Sequence, residues 1–429
     1  MDIAYLTLGC KLNYAETSTY ERGFTAEGLR TVPWEEGADV FLINTCSVTE
    51  RADKKARNLI RKMHRISPEA RIIVTGCYAE LQRDLLSGIE GVSLVFGAKE
   101  KNRVVPDTIA LLRGKDVILD DSYKSLSIAE EYKDISSETL PAYSTGERTR
   151  SFLKVQDGCD NFCAYCTVPF ARGRSRNIPV PVLVDQARKI ASEGVKEIVI
   201  TGVNTGDFGR TTGESFLSLL QALNEVEGIE RYRISSIEPN LITEETVDWI
   251  ASGTKIQPHF HIPLQSGSDT ILAAMGRRYD TALFADRIGY IRSKMDRPGR
   301  PKVFFGIDVI AGLPGETEER FKETYDFIKD TVRPAFLHIF PYSRRPGTRA
   351  FSMKGQVREG IKTERVEILE KLCVELHAEF VESNKGLVSK VLWESDCKDG
   401  MMGGYTENYI RKETTWDASR IGKIETVTI

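Results

Sequence analysis

No run in this 429-residue chain approaches the roughly 18–20 consecutive apolar residues that a membrane-spanning helix needs, so a helical membrane protein is excluded and no membrane partner is expected. A basic leader is also missing. Met1-Asp2-Ile3-Ala4-Tyr5-Leu6 reads as a buried strand, which makes the cytoplasm the expected compartment. Net charge is only −3 at pH 7, so nothing chain-wide favours a polyanionic partner, and any such contact must come from a local basic patch. Cysteine is scarce too. Eight in the chain are too few for a disulfide framework, and in a reducing compartment grouped thiols point to metal or redox ligation. Internal repeats and low-complexity tracts are absent. What remains, 41% apolar and 28% charged residues, is the composition of a globular protein too long for one core.

Short apolar runs at Ile3–Leu8, Asp39–Ile43 and Arg71–Val74 alternate with helical patterns, of which Glu50–Ile66 follows a Ser47/Thr49 start signal. That alternation predicts an open parallel α/β domain over residues 1–120. A polar stretch at 121–147, with Pro141 and Gly146, reads as a linker. Over 148–360 the β-runs Glu197–Thr201, Arg231–Ser236, His259–Leu264, Lys302–Ile310 and Ala335–Phe340 predict a full or partial β/α barrel, with its site at the C-terminal strand ends. A charged helical segment fills 361–384, and 385–429 reads as a small all-β unit. The fold class is therefore α/β with an all-β appendage.

Six of the eight cysteines fall into two trios. Cys10, Cys46 and Cys77 each sit just past the end of a β-run, although they are 36 and 31 positions apart. In an open α/β sheet those turns share one edge, so topology brings distant thiols to one site; the plain alternative is three small buried residues. Cys159, Cys163 and Cys166 lie within eight residues, so one loop offers three thiolates to one metal centre. A structural zinc wants a fourth ligand, and no further Cys or His follows until His259. A four-iron cluster held by three thiolates keeps one iron open. Cys373 and Cys397 fit neither trio and read as structural.

The spacing Cys159-x3-Cys163-x2-Cys166, with Tyr165 before the last thiol, resembles the radical S-adenosylmethionine (SAM) family. The resemblance implies a 4Fe–4S cluster on these cysteines, SAM chelated by the open iron, and a 5′-deoxyadenosyl radical formed with an external electron. It also implies SAM contacts at later strand ends: Tyr165, Gly202, Asn204, Ser235, Glu238, Gln265, Ser266, Asp308 and Leu313. The flanks Leu8-Gly9-Cys10-Lys11, Asn44-Thr45-Cys46 and Thr75-Gly76-Cys77 resemble the amino-terminal domain of the radical-SAM methylthiotransferases. That likeness implies a second 4Fe–4S cluster, whose open iron carries sulfide or methylsulfide, and makes all six cysteines catalytic. The implied reaction replaces C–H by C–S–CH3, with SAM as both methyl donor and radical source. The implied partners are an electron donor such as flavodoxin or ferredoxin and a sulfur donor.

Gly404-Tyr405-Thr406-Glu407-Asn408-Tyr409 makes the tail similar to a TRAM domain, a small RNA-binding β-barrel. The wording Gly9-Cys10-Lys11-Leu12-Asn13 resembles the branch acting on N6-threonylcarbamoyladenosine at tRNA position 37. The ribosomal-protein branch usually has Pro after the first Cys, and the isopentenyladenosine branch usually has Gln. The expected partner is thus a tRNA anticodon stem-loop, contacted by Arg172, Arg174, Tyr342, Arg344, Arg345, Arg349, Tyr405, Asn408 and Tyr409. A basic helix face at Lys54, Lys55, Arg57, Arg61, Lys62 and Arg65 adds to it. The competing expectations are the same chemistry on a ribosomal-protein aspartate or on isopentenyladenosine, radical-SAM methylation without sulfur insertion, and a non-catalytic metal-containing RNA-binding protein.

Overall fold

The computed structural model describes residues 1–115, 117, 139–146, 149–210 and 212–429, so most of the linker expected at 121–147 lies outside the described residues. The chain opens with strands β1 (Asp2–Thr7), β2 (Arg30–Thr31), β3 (Val40–Thr45), β4 (Arg71–Gly76) and β5 (Val92–Phe96). They form one parallel sheet in the order β2-β1-β3-β4-β5. β3 and β4 are buried almost end to end because helices cover both faces, which is why they read as unbroken apolar runs. Three helices follow strand ends directly: α1 (Lys11–Ala26), α2 (Glu50–Ile66) and α3 (Cys77–Leu81). At the start of α2, Thr49 accepts the Ala52 N–H, the cap that the sequence signals.

The second unit contains β6 (Ala142–Tyr143), β7 (Arg150–Lys154), β8 (Gln156–Asp157), β9 (Arg176–Asn177), β10 (Glu197–Thr201), β11 (Arg231–Ile234), β12 (His259–Gln265), β13 (Phe304–Ala311) and β14 (Phe336–Pro341). β7 and β10–β14 run parallel in chain order; single bridges, Tyr232 with Ile256 and Ser236 with His261, join the two halves into one curved sheet. Among the described residues β14 does not pair with β7, whose free edge takes β6 instead. This is a six-stranded partial barrel. Its apolar core lies outside the sheet, where Leu153, Ile198, Ile234, Ile262 and Ile307 pack against the surrounding helices. That leaves the inner face free for polar side chains.

The helix Glu359–Glu382 leads to an antiparallel half-barrel of β15 (Val388–Lys398), β16 (Met401–Thr406), β17 (Arg411–Thr415) and β18 (Ile424–Thr428), ordered β17-β16-β15-β18. Arg231 and Arg233 clamp it to the barrel by donating to the carbonyls of Lys390, Tyr405, Thr406 and Glu407. No helix among the described residues is long and apolar enough to cross a membrane.

Candidate active site

Cys10 caps α1 just after β1, Cys46 follows β3, and Cys77 opens α3 just after β4, so the parallel sheet delivers three distant thiols to one edge. Gly9 (φ +106°) and Gly76 (φ +100°) stand before two of them for a steric reason. A Cβ at Gly9 would lie 2.6 Å from the Cys46 Cβ, and one at Gly76 2.3 Å from the Thr45 carbonyl oxygen. Asn13 braces the first two turns, donating to the carbonyls of Leu8 at 2.8 Å and Thr45 at 3.0 Å while its Oδ1 lies 3.6 Å from Cys10 Sγ. Burial, reinforced by the neighbouring Cys77, pushes the Cys46 thiol up to about 12. Burial also raises Cys77, against the pull of Arg172.

The second trio sits on a loop whose base is pinched by the antiparallel pair β8/β9. The Cys159 N–H donates to the Gly173 carbonyl at 3.0 Å. Val168 N–H donates to Cys166 Sγ at 3.4 Å, and Arg277 donates to Cys163 Sγ at 3.0 Å. Burial lifts Cys159 and Cys166 to about 12. Glu238, expected at SAM, spends one oxygen on Arg277 (2.8 Å) and the other on Asn161 of the cluster loop (2.7 Å). Asn161 and Arg277 escaped the sequence reading because a lone Arg in Gly276-Arg277-Arg278 has no local signature. Arg277→Gln is expected to lower iron retention or SAM cleavage by about 10–100-fold, checked by iron content and 5′-deoxyadenosine release.

The spacing tests which metal fits. Among the described residues neither cysteine trio has all three sulfurs within 4.8 Å of one another. Ligands of a single tetrahedral zinc stand about 3.8 Å apart, given Zn–S bonds of ~2.3 Å. Three thiols on one loop and three at one sheet edge, with N–H donors aimed at Cys163, Cys166 and Cys77, offer the thiolate ligation that iron–sulfur clusters take.

A five-residue helix, Val168–Arg172, links the trios: its first N–H meets Cys166, and Arg172 at its end donates to Cys77 Sγ at 3.2 Å. Arg172 is 2% exposed and paired with Glu16 (3.2 Å) and Asp157 (2.9 Å). It is therefore not an RNA contact, a correction to the sequence expectation. Lys101 and Lys154 join the same two carboxylates, at 2.8 and 2.7 Å from Glu16 and 3.3 and 2.7 Å from Asp157, and Arg176 approaches Asp157 at 3.6 Å. Four cations thus face two carboxylates beside Cys77. The surplus positive charge suits thiolates carrying an anionic cluster.

Three other expected RNA contacts are also interior. Arg345 is buried against Ser47 (2.8 Å) and Asp53, tying a barrel loop to α2. Tyr342 packs behind the cluster loop with Leu313 and Ala164. Asn408 is fully buried, bonded to Thr406, Asn384 and the Lys302 carbonyl. Each lacks the exposure a phosphate contact requires. Leu313, expected to line SAM, is wholly buried in the same apolar cluster. Arg174, Arg344 and Arg349 are exposed, as are Lys54, Lys55, Arg61, Lys62 and Arg65 of α2, while Arg57 is half-buried over Tyr78.

A cavity of about 910 Å³ occupies the barrel interior and reaches Cys10. Gly202 and Ser235 line it, as expected of SAM contacts, and Ser235 Oγ is buried without a hydrogen-bond partner among the described residues. Ser268 Oγ, just past β12, is orphaned in the same way. Unfilled polar atoms at the strand ends suit a polar ligand such as SAM. The side chain of Asn204 is occupied by the Glu238 N–H (3.3 Å), and that of Ser266 by Thr324 (3.1 Å). Gln265 sits at φ +69°, and Tyr165 lies against Arg277 at 3.4 Å. Asp308 points into the barrel and meets His261 Nε2 at 2.6 Å, with His338 stacked on His261. Tyr405 and Tyr409, expected on an outward RNA-binding face, instead stack on each other in the cavity wall, where Arg150 donates to Tyr409 at 3.1 Å.

Fold and site together define a radical SAM enzyme with an added amino-terminal cysteine site. Residues 2–97 match the uncharacterized protein family UPF0004, and residues 153–328 match the radical SAM superfamily. The threonylcarbamoyladenosine tRNA methylthiotransferase MtaB of Bacillus subtilis is 38% identical, covering 100% of this chain and 93% of its own. The tRNA-2-methylthio-N(6)-dimethylallyladenosine synthase of Wolinella succinogenes is 34% identical over 94% of this chain and 90% of its own. Among solved structures, the radical SAM methyltransferase TsrM of Kitasatospora setae shares the fold, with TM-score 0.58, 14% identity, and coverage of 82% of this chain and 77% of that one. The chain belongs to the radical SAM methylthiotransferases. Enzymes of this family work with SAM and two 4Fe–4S clusters.

Proposed function

We propose that this enzyme converts N6-threonylcarbamoyladenosine at position 37 of tRNA to its 2-methylthio derivative. The observation that carries the reading is Lys11, which lines the barrel cavity without an ion pair or hydrogen bond among the described residues, a setting that accepts an anionic base substituent. The MtaB relatives act, by name, on that nucleoside.

In this reading Cys159, Cys163 and Cys166 hold the cluster that binds SAM, and Cys10, Cys46 and Cys77 hold the one that carries sulfur. When bound, these groups supply the radical and the sulfur chemistry. The chain's own residues do the rest. Arg277, Asn161 and Glu238 fix the cluster loop, Ser235 and Gly202 meet a polar ligand at the strand ends, and Arg172 neutralises charge at Cys77. Exposed Arg174, Arg344 and Arg349 and the α2 lysines and arginines offer phosphate contacts to the stem-loop. The Arg345–Asp53 pair holds the loop bearing Arg344 against α2.

The test is anaerobic reconstitution with a threonylcarbamoyl-modified anticodon stem-loop, followed by nucleoside mass spectrometry. The expected product has gained one sulfur and one methyl carbon. Modification of a dimethylallyl stem-loop alone would refute the substrate, and a carbon gain without sulfur would refute the reaction.

A further inference from the structure

Around the cavity, charge is unevenly settled. Lys11, Arg150, Arg233 and Arg411 line it against only Glu394 and Asp396. Most of these cations are already engaged: Arg233 with Glu197 at 2.8 Å, Arg150 with Glu394 and Tyr409, and Arg411 with Asp396 at 3.3 Å. Asp308, whose charge acts on Lys11, is held by His261 at 2.6 Å. Lys11 is the exception. It has no ion pair or hydrogen bond among the described residues, although it is enclosed by the cavity wall. It is also the first residue of α1, whose N-terminus has neither a side-chain cap nor an acidic residue in its first turn. An unpaired ammonium therefore stands in the cavity wall, next to the cysteine that occupies the N-cap of the same helix.

We infer that Lys11 is a specificity-determining residue that binds the carboxylate of an amino-acid substituent on the substrate base. The inference rests on the substrate reading above and deepens it. The cavity of about 910 Å³ has room for a substituted base, and the threonylcarbamoyl substituent of the substrate reading carries a carboxylate that can meet Lys11. An ammonium left without a counter-ion in such a site discriminates strongly against a neutral substituent, because a neutral ligand leaves it buried and unpaired.

The experiment crosses two enzymes with two substrates. Dissociation constants are measured for stem-loops carrying threonylcarbamoyladenosine and its neutral methyl ester, with wild-type enzyme and with Lys11→Gln, at matched iron content. Wild type is expected to prefer the free acid by about tenfold or more, Lys11→Gln to bind acid and ester alike, and Lys11→Arg to restore the preference. Equal preference for the acid in wild type and Lys11→Gln would overturn the inference while leaving the substrate reading intact. Failure of wild type to bind or modify either threonylcarbamoyl stem-loop would overturn the substrate reading itself. SAM affinity is measured in parallel. A matching loss there would assign Lys11 to the SAM carboxylate and also overturn the inference. Because binding is the readout, loss of turnover in a variant does not blur the result.

Discussion

Serine at Cys159, Cys163 or Cys166 is expected to abolish release of 5′-deoxyadenosine, whereas serine at Cys10, Cys46 or Cys77 is expected to stop sulfur insertion and leave residual, unproductive SAM cleavage. The contrast follows from placement. Arg277, Asn161 and Glu238 secure the first loop from within the barrel. Asn13, Gly9 and Gly76 gather the second trio at the edge of the first sheet, where Arg172 from the barrel side donates to Cys77 Sγ and Asn13 Oδ1. Iron content and 5′-deoxyadenosine are measured on the same samples. If a Cys46→Ser protein retains its barrel cluster yet fails to cleave SAM, the division of labour between the two sites is wrong.

The second large effect concerns the buried ion cluster between the two units. Burial alone would raise the Glu16 and Asp157 carboxyls, but Lys101, Lys154 and Arg172, with Arg176 for Asp157, overcome it and hold both below the ordinary range. Asp157→Asn removes a charge on which four cations converge and is expected to cost about 3–5 kcal/mol, read as a lower denaturant midpoint. The sign of the pH dependence is fixed by the same shifts. Carboxyls depressed in the folded state contribute stability that is complete above their unfolded values near 4 and lost as pH falls through the folded ones. Wild-type stability should therefore decline below about pH 4, with a shallower decline in Asp157→Asn. An equal slope in the two proteins would deny Asp157 this role.

The cysteines were legible because their information is local: a three-thiol loop shows its spacing directly, and thiols at strand ends need only topology to meet. The parallel sheet and the partial barrel were legible for a related reason, since β3, β4 and the barrel strands are apolar runs between helical patterns. Arg172 misled because a basic residue after a metal loop looks like a surface residue, and its partner Glu16 lies 156 positions away. Tyr405 and Tyr409 misled similarly; the sequence places two tyrosines near the end of a β-run, but does not show that β16 and the turn after it bring them together on the inward side. The cavity lining left a trace that went unread. His259 and His261, and Phe336 and His338, fall two apart in strands whose intervening residues are apolar, the mark of an inner face that is not core.

The ion cluster has a consequence for the order in which the protein is made. Glu16 emerges from the ribosome early, in α1, while Lys154, Asp157 and Arg172 follow well over a hundred residues later. Amino-terminal domains tend to fold as they are synthesised. Before Lys154 and Arg172 arrive, the first domain offers Glu16 only Lys101 as an ion-pair partner, and the neighbourhood of Cys77 stays incomplete until the barrel's opening strand and cluster loop are made. An excised first domain, which lacks Arg172 beside Cys77, is therefore expected to retain less iron than the full chain, measured as iron per protein.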